Sequence, residues 1–323
     1  MRKLFTEFNL KNIRIKNRIG VPPMAAGLTE SGTVTPKNIE HYSKLAKGGA
    51  GLIIQEATCI NINARFSENQ LGIWTDDQIE GLRQIVDAVH RENCNIFIQL
   101  QHSGLTGISE PHLSPSPFQH EAFGRVYEAK YEMSVETIQS IQHDFIQAAI
   151  RAYQAGYDGV ELHGSRSFLI CQFFNRFVNQ RTDKYGTAPE TFVTEIMDGI
   201  RQKTPGGFIV GIRLGGFEPQ IDDAIRHAMV LEQHGVDFID IGDGFFGAQG
   251  ARAEADYPYS HTVHAAQLIK EQVSVPVFAV GEIKTPELAE EILNTTNVDL
   301  VHIGRGFLAN PNWANDARGN DVC

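Results

Sequence analysis

The sequence predicts an α/β protein with a single (β/α)8 barrel over residues 1–323, and three observations carry this prediction. Short apolar segments alternate with longer helical patterns along nearly the whole chain of 323 residues. Several helical patterns begin at capping residues, as at Thr35-Pro36 and Thr285-Pro286, and several end at a glycine. No GxGxxG fingerprint follows an early strand, which makes an open doubly wound sheet the weaker alternative.

The elements follow in a regular order. Eight apolar segments are the predicted strands: 19–24, 51–57, 96–101, 159–163, 208–214, 238–242, 277–280 and 300–303. Seven longer segments and a short final one are the predicted helices: 36–47, 76–92, 135–155, 190–202, 222–234, 262–272, 286–294 and about 312–318. A small hairpin is predicted within residues 4–18, and 105–133, after the third strand, is predicted to be a long loop suited to a lid.

Composition and charge exclude several classes of function. The net charge of −11 argues against a nucleic-acid surface, and no run of about 18 apolar residues predicts a membrane helix. The first residues lack the apolar centre of a secretory signal, so a cytoplasmic location is expected. The four cysteines, at 59, 94, 171 and 323, show no CxxC spacing. They are interpreted as reduced thiols, and no metal site is expected.

In a barrel, chemistry is expected where strands run into the loops that follow them. The fourth predicted strand ends at His163 and leads into a polar loop with Arg166 and Phe168. The seventh ends at Gly281 and the eighth at Gly304-Arg305-Gly306. These glycines either relieve crowding or let backbone N–H groups approach a phosphate, and Arg305 favours the phosphate site.

Eight segments of the chain match one known family in order. They are LKNIRIKNRIGVPPM, GLIIQEAT, LGIWTDDQI, IFIQLQHSG, GVELHGSRSFLICQF, NQRTDKYG, AVGEIKTPELAEEIL and VHIGRGFLANP. With these motifs the chain resembles the Old Yellow Enzyme group of FMN-dependent oxidoreductases. The resemblance implies FMN across the mouth of the barrel, NADH or NADPH as reductant and a small-molecule substrate. The oligomeric state stays open, a homo-oligomer included.

The resemblance also implies roles for residues around the flavin. Pro23, Met24 and Ala25 would contact the ring system largely through backbone, with Ala57 beside it. Gln99 would bond the pyrimidine edge, and Arg213 would lie near the N1 and C2 carbonyl end, where reduced flavin gathers negative charge. The alternative for Gln99 and Arg213 is a buried polar pair inside the barrel. The phosphate would bind at Gly281, Gly304 and Arg305.

The chain departs from the family on the substrate side. The family places His, then His or Asn three residues later, then a proton-donating Tyr two further on, whereas this chain has His163, Arg166 and Phe168. His163 and Arg166 are therefore the predicted catalytic pair, and a phenyl ring cannot donate the proton. Arg166 either faces an anionic group beside His163 or turns outward to an acid such as Glu161 or Glu218. Both interpretations stay open.

Three functions are compatible with this pattern. The leading one is an FMN-dependent reductase that passes hydride from NAD(P)H to a small, electron-poor acceptor, such as an activated alkene, with an acidic acceptor suggested by Arg166. The second is a flavin-dependent dehydrogenase or oxidase of a saturated or amine substrate. The third is a catalytically degenerate barrel that still binds flavin.

Overall fold

The computed structural model describes residues 2–122, 124–245 and 256–319. Its strands are β1 (Phe8–Leu10), β2 (Ile13–Ile15), β3 (Ile19–Val21), β4 (Leu52–Cys59), β5 (Asn95–Gln101), β6 (Phe118–Ala122), β7 (Arg125–Ala129), β8 (Gly159–Gly164), β9 (Ile209–Gly215), β10 (Ile239–Gly242), β11 (Val277–Val280) and β12 (Leu300–His302). Its helices are α1 (Pro36–Lys47), α2 (Ile79–His90), α3 (Val135–Ala155), α4 (Leu169–Phe174), α5 (Lys184–Thr187), α6 (Thr191–Lys203), α7 (Ile221–Gln233), α8 (His261–Lys270), α9 (Pro286–Thr295), α10 (Arg305–Ala309) and α11 (Trp313–Gly319). Within the described ranges, no helix is long and apolar enough to cross a membrane.

The predicted barrel and its N-terminal hairpin are confirmed. Strands β3, β4, β5, β8, β9, β10, β11 and β12 close in that order, and β1 pairs with β2 in an antiparallel hairpin. Each neighbouring pair in the barrel is parallel. Short apolar segments were sufficient for this prediction because each strand buries both faces, one inside the barrel and one under the helices, and is therefore a nearly continuous apolar run.

Boundaries differ where local chemistry intervenes. Strand β3 ends at Val21, three residues before the predicted end, because Pro22 and Pro23 have no N–H for the ladder. The helix predicted from residue 76 begins as a tight 3-10 turn, Asp76–Gln78, in which Thr75 and Gln78 form a capping box, and α2 follows it.

Several features of the structure were not predicted, among them the short helices α5 and α10 and the two described next. The loop after β5 contains the hairpin β6–β7, whose Phe118 and Tyr127 pack against a small cluster that includes Leu105 and Phe245. Helix α4 follows the fourth barrel strand and is buried all round, so its sequence shows no polar face and no helical period.

The hairpin β1–β2 covers the N-terminal end of the barrel. Phe8, Leu10 and Ile15 form one cluster with the inward apolar side chains of β4, β5, β9, β11, β12 and the residue before β10. In this cluster Phe238 stacks between Phe97 and Phe278, with ring centroids 5.3 and 4.8 Å apart. The lower half of the barrel is therefore a dry core, and polar inward side chains begin one layer above it.

Strand register places the polar side chains of that layer on adjoining strands. Gln99 of β5 is paired with Glu161 of β8, and Arg213 of β9 lies between His163 of β8 and Asp240 of β10. His302 of β12 is opposite Gly20 of β3, which closes the ring. Because parallel strands end at one face, these groups meet under the mouth of the barrel.

Candidate active site

A cavity of about 880 Å³ opens at the carboxyl ends of the barrel strands, which is within the size range of cofactor sites. Its wall includes seven of the predicted site residues: Pro23, Met24, Arg166, Arg213, Gly281, Gly304 and Arg305. Four other predicted residues are not part of that wall. Ala57, Gln99 and His163 are buried, and Ala25 is exposed.

One end of the cavity is formed by the loops after β11 and β12. Gly281 has a φ of +136°, and an added Cβ there would lie 2.2 Å from both the Ser260 Oγ and the Thr262 Oγ1. The Ser260 hydroxyl donates to the Gly281 carbonyl, and the Thr262 hydroxyl donates to the Val280 carbonyl. Glycine is required here because the two hydroxyls occupy the place of a Cβ, and the Gly281 backbone is left on the cavity wall.

Cations flank the same end. Arg305 and Lys284 are on the cavity wall, and the Arg305 side chain is 76% exposed, with its Nη2 3.8 Å from the Glu282 Oε1. The Arg305 guanidinium is therefore free to turn towards an anion at modest cost. A glycine-lined concavity with two cations fits the phosphate of FMN.

The floor of the cavity is a buried polar layer. The Arg213 Nη1 donates to the Asp240 Oδ2 at 2.6 Å, and the Gln99 Nε2 donates to the Glu161 Oε1 at 2.7 Å. Gln99 and Arg213 thus each bind an acid inside the barrel, and not each other. Arg213 has room for its bond to Asp240 because residue 242 is glycine. A Cβ at Gly242 would lie 2.8 Å from the Arg213 Nε.

Burial decides the charge of this layer. Burial raises the pKa of Glu161 well above its usual value, and the nearby Asp240 charge raises it further, although Arg213 and Gln99 oppose the shift. The protonated form of Glu161 is therefore favoured. Arg213 remains close to one charged carboxylate, that of Asp240, which lies at the expected ring end of the flavin site.

The predicted catalytic pair lies above this floor. The His163 ring meets the Phe168 ring edge-on at 4.7 Å, and Phe168 in turn packs against Phe66 at 5.5 Å. Burial lowers the pKa of His163 well below its usual value, and the charges of Arg213 and Arg166 lower it further. His163 is therefore a neutral imidazole, able to donate one hydrogen bond.

Arg166 is held by its backbone on the cavity wall. Its φ is +56°, in the left-handed region, and its N–H donates to the Asp243 carbonyl at 2.7 Å. Its Nη2 lies 3.8 Å from the Asp243 Oδ2, and its side chain is 64% exposed. The acid beside Arg166 is thus Asp243, whereas Glu161 and Glu218 are buried in other contacts.

Sequence analysis missed several groups at the site. Asp240, Asp243, His261, Lys284 and His302 were not singled out, yet all except Asp240 line the cavity. Asp240 and His302 follow inward apolar residues by two positions, so period-two alternation identifies them as inward side chains. No comparable pattern identifies Asp243, His261 and Lys284, which lie in or next to loops.

Two other expectations concern side chains away from the cavity. His102 is a satisfied loop histidine, because its Nδ1 accepts the Gly104 N–H, and burial lowers its pKa to about 3. Cys59, Cys94 and Cys171 are free and buried, whereas Cys323 lies outside the described residues.

The chain also matches known proteins. The model of the NADH:flavin oxidoreductase / NADH oxidase family matches residues 3–320. An NADPH dehydrogenase of Bacillus subtilis (strain 168) is 35% identical over 325 residues, which cover 98% of this chain and 94% of that protein. A solved old yellow enzyme homologue from Zymomonas mobilis is 25% identical, with a TM-score of 0.81, over 99% of this chain and 93% of the other.

A 2-naphthoyl-CoA reductase structure matches with a TM-score of 0.90 and 22% identity, which supports the fold alone. The match covers 98% of this chain, which spans about half (52%) of the length of that reductase. The chain belongs to the NADH:flavin oxidoreductase / NADH oxidase family, within the Old Yellow Enzyme group, and it is an FMN-dependent NAD(P)H oxidoreductase.

Proposed function

We propose that this protein reduces small, electron-poor acceptors that carry a carboxylate, such as activated alkenes conjugated to an acid. The whole chain is proposed to form one FMN-binding domain. The proposed FMN-binding residues are Pro23, Met24, Ala25, Ala57, Gln99, Arg213, Gly281, Gly304 and Arg305. His163 and Arg166 are proposed to bind the acceptor. FMN, when bound, accepts hydride from NAD(P)H and delivers it to the acceptor.

The position of Arg166 carries the proposal for an anionic acceptor. Its main chain is fixed by the Asp243 carbonyl, while its guanidinium faces the cavity with an ion-pair distance of 3.8 Å to Asp243. That distance leaves N–H donors free for a second carboxylate. Guanidinium matches carboxylate with two parallel hydrogen bonds, so an acidic acceptor would be oriented as well as bound.

His163 has a different role in this proposal. As a neutral donor it would bind the carbonyl-type oxygen conjugated to the reacting double bond, and the donated hydrogen bond would polarise that bond. Burial, with repulsion from Arg213 and Arg166, holds the pKa of His163 low and keeps it neutral, so it donates without adding a charge. Phe168 supplies no proton, and we assign that step to water entering the open cavity.

The contacts of Phe168 favour one further candidate, oxidation of a saturated or amine substrate. Its ring lies between His163 and Phe66 with no acidic proton, as suits a site that removes hydride and need not protonate a product. Anaerobic mixing with NADPH or NADH distinguishes the two. Rapid bleaching of the flavin favours the reductase, whereas bleaching only by an amine favours the oxidase.

Ligand binding tests the proposal directly. We expect benzoate to perturb the flavin spectrum of the oxidised protein, and Arg166→Asn to weaken benzoate binding about tenfold, or ~1.4 kcal/mol, a charge-assisted hydrogen bond discounted for exposure. Benzaldehyde, a neutral ligand of similar shape, should be almost unaffected. Arg226→Asn is the matched control, because Arg226 is also exposed, 3.7 Å from an acid, Asp223. Equal responses of benzoate and benzaldehyde would contradict an anionic acceptor.

A further inference from the structure

The polar floor contains more titratable groups than cofactor binding explains. Asp240 lies between Arg213, at 2.6 Å, and His302, whose Nδ1 is 3.8 Å from the Asp240 Oδ2. The side chains of Asp240 and His302 are fully buried. Four atoms of this layer have no hydrogen-bond partner: Glu161 Oε2, Asp240 Oδ1, His302 Nδ1 and His302 Nε2.

A single shared proton would give a hydrogen-bond partner to both unpartnered carboxyl oxygens, Glu161 Oε2 and Asp240 Oδ1. If Glu161 is protonated, its hydroxyl can donate to the neighbouring Asp240 carboxylate, as in other buried carboxyl pairs that share a proton. The floor then holds one positive charge, on Arg213, and one negative charge, shared by the two acids. The net charge of the floor is then zero. The charge of Arg213 is already balanced by the two acids, so it does not also balance the negative charge of a reduced cofactor above the floor.

His302 is the group left without a function. It lines the cavity and precedes Gly304 by two residues, on the side towards the barrel floor. Its ring fills space that Gly20 leaves, because a Cβ at Gly20 would lie 2.6 Å from the His302 Cδ2. A buried imidazole with both nitrogens unpartnered at the wall of a ligand site is placed to change its protonation when the ligand changes charge.

We propose that His302 is a redox-linked proton acceptor beneath the flavin. When bound FMN gains a hydride, which is two electrons and one proton, the His302 imidazole takes a second proton from solvent and becomes a cation. No other bond forms or breaks, and NAD(P)H is the reductant. Asp240 pairs with the new cation, and the cation balances the negative charge of the reduced cofactor. The inference rests on the FMN site of the proposed function.

The groups that face His302 set the pH range. Asp240 of β10 attracts a proton to it, Arg213 of β9 repels one, and Glu161 of β8 is neutral, while β3 and β11 present Gly20 and Phe278. In the oxidised protein, burial lowers the pKa of His302 to about 4. A nearby opposite charge shifts a pKa by about 1–3 units, so reduction should raise it to roughly 5–7. Proton uptake is then largest midway between the two pKa values, at about pH 4.5–5.5, and small by pH 8.

NMR of protein labelled with ¹⁵N-histidine tests this assignment. The holoprotein is titrated oxidised and again after reduction by dithionite, without nicotinamide or acceptor. The His302 signals are identified by their loss in His302→Gln. We expect the His302 pKa to rise by at least one unit on reduction. His90, half-buried beside Asp158 at the other end of the barrel, is the internal control and should not shift.

Asp240→Asn should lower the pKa of His302 in the reduced protein by at least one unit, since the carboxylate that pairs with the cation is gone. If no histidine of the wild-type protein changes its pKa on reduction, the proposal is overturned whether or not either variant folds. A shift at another histidine, with His302 unchanged, also overturns it. Loss of FMN binding by the wild-type protein would instead contradict the proposed function, so the two failures are distinguishable.

Discussion

The two ends of the cavity are built differently. The anion end depends on backbone: Gly281 at a φ of +136°, the hydroxyl-to-carbonyl bonds of Ser260 and Thr262, and Gly304. The acceptor end depends on the side chains of His163, Phe168 and Arg166. A substitution at Gly281 would displace the Ser260 and Thr262 hydroxyls, whereas a side-chain site changes its ligand with a single residue.

The largest effect, a loss of FMN affinity, is expected from a substitution at the anion end of the cavity. Gly281→Val places a Cβ 2.2 Å from two hydroxyl oxygens, so we expect the affinity of the apoprotein for FMN to fall at least a hundredfold, measured by fluorescence titration. Gly235→Val is the matched control. Gly235 also has a positive φ, of +78°, but an added Cβ meets no atom within 4 Å, so it should lose ~1–3 kcal/mol of stability and keep FMN affinity. Normal FMN binding by Gly281→Val would mean that the anion lies elsewhere.

The second-largest effect is expected on the rate of flavin reoxidation, and it tests the acceptor end. Phe168→Tyr adds a hydroxyl beside His163, so reoxidation of the reduced flavin by cyclohexenone should accelerate about a hundredfold, within the ~10²–10⁴ range of a positioned general acid. The rate of reduction by NAD(P)H should be unchanged, and stopped-flow spectroscopy separates the two half-reactions. Phe66→Tyr is the control, since Phe66 packs on the same ring but was not matched to the family tyrosine. No acceleration would indicate that water already supplies the proton efficiently.

A smaller effect is expected at Arg305. Its side chain is 76% exposed, so a charge-assisted bond to phosphate is discounted to about 1 kcal/mol, and Arg305→Ala should weaken FMN binding about fivefold. Riboflavin lacks the phosphate and should bind the variant and the wild type equally. If riboflavin binding weakens by the same factor, Arg305 contacts another part of the flavin.

The smallest effect is expected at Ala25, which is exposed beside the cavity wall. Ala25→Thr adds a hydroxyl at a position proposed to contact the flavin ring. We expect a small shift of the flavin absorption bands and less than a threefold change in the rate of reduction by NAD(P)H. A large loss of FMN would show that the segment from Pro23 to Ala25 is more tightly packed against the ring than its exposure indicates.

The barrel could be predicted because it depends on local rules, and the same rules led to the proposed anion end. Apolar alternation marks strands, and glycines at strand ends mark close approach of the backbone. The partner of Arg166 could not be predicted in this way. It depends on a left-handed residue and on which loop carbonyl meets its N–H, and Asp243 is distant in sequence. The β6–β7 hairpin was missed because its packing partners lie in three other parts of the chain.

Asp240 and His302 were within reach of sequence analysis. Each lies two residues after an inward apolar side chain, Phe238 or Leu300, so extending the alternation would have placed both inside the barrel. What alternation does not reveal is that Asp240 meets Arg213 of the neighbouring strand. That contact depends on the register between strands, which the hydrophobic pattern constrains only to the correct face.

The hairpin that covers the N-terminal end of the barrel has a kinetic consequence. Because Phe8, Leu10 and the stacked phenylalanines fill that end, ligands reach the floor of the cavity from the opposite face. Nicotinamide and acceptor would then use the same opening in turn. We expect parallel lines in double-reciprocal plots, and inhibition by excess NAD(P)H that rising acceptor concentration relieves. The alternate binding of nicotinamide and acceptor would thus follow from the closure of the N-terminal end of the barrel.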